Sequence, residues 1–123
     1  MLPWRSLEKR EGVLAAVAGT VTLNQDGQEV EYAILTADEL DAAQIGYATH
    51  VLTGQSLIGS SDGDWQLSWL TIGSDTLCGD PIFVDMADPA LPVLTAPHGA
   101  GTWRPERLSA SFEDFAAKVQ RVE

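Results

Sequence analysis

Hydrophobic and polar positions alternate from Thr20 to Ile34. Val21 and Leu23 fall on one face of a first strand, and Val30, Tyr32 and Ile34 on one face of a second. Asp26-Gly27 between them supplies the positive backbone dihedrals of a tight turn, so the segment predicts a β-hairpin opening an antiparallel sheet. Ahead of it, Leu7, Leu14 and Val17 predict a short N-terminal helix, weakened at Gly12 and ended at Gly19. Thr36-Ala37-Asp38-Glu39 is a capping box, in which two side chains satisfy orphaned backbone amides. It predicts a helix with Leu40, Ala43 and Tyr47 toward the core, ended at Gly46 or just after.

Residues 59–65, GSSDGDW, predict a loop. The apolar runs Trp69–Ile72, Pro81–Asp85 and Pro92–Ala96 predict successive strands. Pro89 and Pro92 bracket the connection between the last two, because proline cannot donate to a central ladder. A further strand is predicted near Trp103 to Leu108. In SFEDFAAKVQRV, residues 111–122, Phe112, Phe115, Val119 and Val122 share one helical stripe. Ser111 is placed to cap it, and Glu113 and Asp114 early with Lys118 and Arg121 late complement the helix dipole. No internal repeat interrupts this order. Strands clustered between helices predict an α+β fold in one domain over residues 1–123.

Charge changes the picture. From Glu11 to Trp103 there is no lysine or arginine and there are thirteen acids, whereas all seven basic residues lie in the two ends. The net charge of −11 is thus −13 in the body and +2 in the ends. Such a body repels nucleic acid and anionic lipid and attracts basic proteins or cations. Net charge by itself keeps proteins soluble, but a solubility surface intersperses both signs, and this one segregates them. No window approaches the roughly 20 apolar residues of a membrane span, and MLPWRSLEKR lacks the apolar run of a signal peptide. The single cysteine, Cys78, excludes an internal disulfide and suits a reducing compartment. A cytoplasmic protein is the expectation.

Candidate chemistry is sparse. Cys78 with His50 or His98 would form a nucleophile and base, yet Cys78 sits in a glycine-flanked turn and neither histidine has a supporting motif. Three Cys and His residues at unrelated spacings are too few for a structural zinc site. Asp75, Asp80, Asp85 and Asp88 come nearer to a hard-cation site but lack EF-hand spacing, and aspartates beside Gly and Pro commonly serve turns. No glycine-rich string is followed by Lys-Ser or Lys-Thr, so nucleotide binding has no motif. The expectation is no catalytic residue, no metal and no cofactor. Four tryptophans are read first as core or sheet-edge residues. The functional reading is an indole anchor rimmed by carboxylates, which suits a basic protein partner.

Several short patterns occur together in one order: Ile72-Gly73, Gly79-Asp80 before Ile82-Phe83-Val84-Asp85, Asp88-Pro89 through Pro92-Val93, His98-Gly99, and Ser111-Phe112-Glu113-Asp114-Phe115. With Glu39, Leu40, Ala43, Gln44, Gly46 and Tyr47 upstream, about two thirds of the chain resembles the SUKH superfamily, which includes the Smi/Knr-like cell-wall synthesis regulators and bacterial immunity proteins. The N-terminal pattern departs from the family's, offering only Leu2-Pro3-Trp4 and no asparagine-glycine turn. The resemblance implies a twisted, mainly antiparallel sheet with helices packed beside it and a non-enzymatic protein-binding domain, with neutralisation of a basic, nuclease-type toxin in a bacterial cytoplasm as the leading expectation. A regulatory interaction scaffold of the Smi/Knr-like type is the alternative, and a small metal-dependent hydrolase the third reading. Residues expected to meet the partner are Asp62, Asp64, Asp75 and Asp80, with Trp65 and Trp103 as anchors.

Overall fold

The computed structural model describes residues 17–25, 27–44, 47, 52–53, 55–59, 63–99 and 102–122. The predicted N-terminal helix lies outside them except for Val17, which is buried. Seven strands are present among the described residues: β1 (Gly19–Gln25), β2 (Gln28–Ile34), β3 (Trp69–Asp75), β4 (Pro81–Asp85), β5 (Val93–Thr95), β6 (Glu106–Ser109) and β7 (Gln120–Arg121). A 3₁₀ turn at Ala37–Glu39 leads into α1 (Leu40–Ala43), and α2 (Phe112–Lys118) precedes β7. All strand pairs are antiparallel, in the order β6-β5-β4-β3-β2-β1-β7. Among the described residues the domain is therefore mostly β, and the expected α+β class fits it only loosely, because α1 is a single turn and α2 has seven residues.

The sheet is curled, and chain length requires it. β6 and β7 lie at opposite edges, six strand spacings or about 29 Å apart in a flat sheet. The stretch from Ser109 to Gln120, with α2 in its middle, reaches at most about 26 Å even when every part is collinear. Curling brings the edges within reach, and α2 lies in the concavity. Phe112 and Phe115, both fully buried, pack there with Val21, Leu23, Tyr32, Ile34, Leu70, Ile72, Ile82, Val84 and Val93. Ser111 caps α2 as expected, its hydroxyl accepting the Asp114 N–H at 3.0 Å. Lys118 pairs with Asp114 at 2.8 Å, which holds the Asp114 carboxyl below its ordinary range. Val122 does not continue the helical stripe: Val119 turns extended (φ −73°, ψ 150°), and Gln120 and Arg121 pair with Thr22 and Val21 instead.

The capping box forms by half. Glu39 accepts both the Thr36 N–H and the Thr36 hydroxyl, each at 2.9 Å, so that hydroxyl is not left to cap an amide. These bonds hold the Glu39 carboxyl below its usual range. The helix stops after Ala43, and the Gln44 side-chain amide donates to the Leu40 carbonyl at 2.7 Å. The same amide donates to the Thr71 carbonyl (3.0 Å) and accepts the Thr71 N–H (2.9 Å), taking the place of a strand where β2 has already left the sheet.

Tyr32 faces the concave core, and burial with the Asp75 charge second pushes its hydroxyl up to about 12. A raised acid keeps its proton in the folded state and gives it up in the unfolded one. Stability is therefore full below pH 10 and declines through pH 10 to 12, by up to about 2–3 kcal/mol. Urea midpoints measured from pH 8 upward should show this limb in the native chain, flattened in Tyr32→Phe. An equal decline in both would assign the alkaline loss elsewhere.

Candidate functional site

The second face of the sheet is built differently on its two halves. Over β3, β4 and β5 it is covered by aromatic rings delivered from loops. Trp65 lies at the centre, 1% exposed, with its ring 5.3 Å from Tyr47, 5.2 Å from both Trp69 and Trp103, and 4.9 Å from Phe83. A parallel bridge between Ile58 and Trp65 and the Gly59 N–H bonded to the Trp65 carbonyl (3.0 Å) hold that loop down. Over β1 and β2 no aromatic ring among the described residues covers the same face, and alternation inward of Val30 and Tyr32 leaves Glu29 and Glu31 exposed on it.

Between these halves runs the β3–β4 loop, residues 76–80. Asp75 organises it: one carboxylate oxygen accepts the N–H groups of Leu77 (2.7 Å) and Cys78 (3.1 Å), and its backbone exchanges bonds with Gly79 and Asp80. On one side the loop borders a cleft of about 400 Å³ lined by Glu29, Val30, Glu31, Asp75, Leu77 and Cys78. Leu77 is 91% exposed, an apolar side chain standing among three carboxylates. On the other side Asp80 receives the His98 N–H at 3.1 Å and pairs with the His98 ring. Burial, with the Asp80 charge second, raises the Tyr47 hydroxyl, which places that carboxylate beside the aromatic cluster.

The residues expected to meet a partner separate in this geometry. Asp62 lies outside the described residues. Trp65 is buried under other rings and cannot serve as an exposed anchor; it is the centre of a small core. Trp103 is half-buried at the margin of that core, 5.8 Å from Tyr47. Asp64 is half-buried, its carbonyl accepting from Gln66 at 2.9 Å. Asp75 and Asp80 shape the loop, on its two sides. Asp85 and Asp88 accept the N–H groups of Ala87 (3.0 Å) and Ala90 (2.9 Å), so the four aspartates once read against a cation site all serve backbone. No cluster suited to a metal ion occurs among the described residues. Glu29, Glu31 and Leu77 were not singled out from sequence, although the alternation of β2 already placed both glutamates outward.

Comparison with known proteins adds no relative: no family model, no curated protein and no solved structure matches this chain. No helix among the described residues is long and apolar enough to cross a membrane.

Proposed function

We propose that this chain is a non-enzymatic, SUKH-like protein-binding domain that neutralises a basic protein, with a nuclease-type toxin as the leading class of partner. The observation that carries the reading is the half of the outer face over β1 and β2, where exposed Glu29 and Glu31 meet the Leu77 cleft in a stretch of ninety-three residues, 11–103, without a lysine or arginine. A nuclease holds phosphates on a basic surface, and an acidic surface of this kind is drawn to it over a Debye length and excludes the nucleic acid from it. The mechanism is occlusion: steering by charge, anchoring at Leu77, and denial of the cationic surface to its substrate.

Immobilised full-length chain tests this. Basic nuclease-type proteins offered with neutral and acidic controls at low salt should be retained selectively, released as salt rises, and show reduced cleavage of nucleic acid while bound. If no basic protein is retained at low salt, the reading falls.

A further inference from the structure

The cleft beside β2 has the form of an empty strand position. β2 is longer than its neighbour on that side: the β3 ladder begins at the pair Tyr32 and Asp75, so Gln28 to Glu31 extend beyond it. In an antiparallel hairpin, successive residues turn their backbone groups alternately to one neighbour and the other. The odd-numbered residues of β2 turn theirs toward β3, since the Glu31 carbonyl accepts the Thr76 N–H (3.1 Å), and Leu35 just beyond donates to the Ile72 carbonyl (2.8 Å). Glu29 is the next residue in that series. Its N–H and carbonyl point into the cleft with no partner among the described residues.

We infer that this cleft receives an extended segment of a basic protein as an added strand, paired to β2 at Glu29 and running in line with β3. The inference deepens the reading of the chain as a binder of basic proteins and rests on it. Backbone pairing supplies attachment, and the two faces of β2 supply selectivity. Directly opposed residues share a face, so a cationic side chain opposite Glu29 meets that carboxylate and one nearer Glu31 meets the second. Glu31 already accepts from the Thr76 hydroxyl at 3.0 Å, which fixes its carboxylate in place. The intervening residue of the incoming segment faces Val30, which packs on the main core, and Leu77 stands at the cleft with its side chain exposed. The pattern recognised is basic, apolar, basic over three residues, within the roughly 10 Å from Gln28 to Glu31. An acidic or all-apolar segment is excluded by the two glutamates.

A capped hexapeptide of alternating lysine and valine serves as the probe, with a glutamate-for-lysine version and a version N-methylated on alternate residues, which keeps charge and removes the pairing N–H groups. Amide NMR of the full chain at low salt should show shifts concentrated at residues 28–31 and 76–78 on adding the parent peptide, with slowed exchange at Glu29. N-methylation should weaken binding at least tenfold, and so should the double variant Glu29→Lys, Glu31→Lys, whose melting temperature reports that it is folded. Equal affinity of the N-methylated peptide, or shifts confined to other surfaces, overturns strand addition while leaving the charge-driven reading intact. No binding of the parent peptide also overturns it; only if basic proteins too fail to be retained does the broader reading fall with it.

Discussion

Gly73→Ala is expected to destabilise the domain by about 3 kcal/mol, the upper end of what overpacking costs and a large share of what a small domain has. The register of β3 shifts between Thr71 and Gly73, so that Gly73 stands opposite both Ile34 and Ile82 at a bulge. A Cβ built there overlaps the Ala33 carbonyl oxygen and lies 3.0 Å from Ile34 Cδ1. The obstacle is backbone of the neighbouring strand, which cannot rotate away as a side-chain tip would. Relief requires β2 and β3 to part where the Leu35 N–H bonds to the Ile72 carbonyl at 2.8 Å. Gly19 and Gly27 meet nothing within 4 Å and serve as contrasts whose cost is confined to their positive φ of 106° and 82°. Urea unfolding followed by tryptophan fluorescence checks this; a Gly73→Ala midpoint within about 1 kcal/mol of the native chain would show that the two strands separate freely.

The second large effect is at Trp65, where alanine is expected to cost about 3–5 kcal/mol. Four rings lose their central neighbour at once, and the loop bridged through Ile58 loses what seats it on the sheet. Trp65→Phe is expected to cost less than half as much. It keeps an aromatic body and discards an indole Nε1 that is buried with no hydrogen-bond partner among the described residues. The pair also separates structure from recognition. Because Trp65 is covered, Trp65→Phe should bind a basic partner as the native chain does, whereas an anchor at this position would lose affinity in proportion to lost ring area. Thermal melts beside binding titrations decide between them.

The elements legible in the sequence are those set by local chemistry. Alternation around Asp26-Gly27 defined the β1–β2 hairpin, β4 began and ended at Pro81 and Asp85 as read, and Ser111 capped α2. Each depends on neighbours within a few residues. The elements missed are those decided at long range. Helical periodicity through Val119 and Val122 is genuine in the sequence, but pairing with β1, 98 residues from Gln120 at Thr22, outweighs it and makes β7. Arg121, expected to complement the α2 dipole, instead donates to the Ala18 carbonyl at 3.2 Å. The helix expected from Thr36 to about Gly46 ends after Ala43, and nothing local shows that the Gln44 side chain bonds Thr71 across the fold. For Trp65 the sequence allows both a core role and a partner anchor, and only tertiary packing, which brings Tyr47, Phe83 and Trp103 over it, selects the core role. Acidity was visible at once, but the division between carboxylates that hold turns and those free to face a partner required the coordinates.

The curl of the sheet also dictates an order of assembly. From β1 to β6, neighbours in space are neighbours in sequence, so these ladders can zip one after another with modest loop-closure cost. The β1–β7 pair is the exception, since closing that interval in an unfolded chain costs about 4 kcal/mol of entropy. Once the first six strands and α2 are in place, only the short stretch after Lys118 remains to be ordered. β7 is therefore expected to act as a latch rather than a nucleus: deleting its pairing, as by Gln120→Pro, should speed unfolding and leave the refolding rate nearly unchanged in stopped-flow kinetics, and a slowed refolding rate would place β7 in the nucleus.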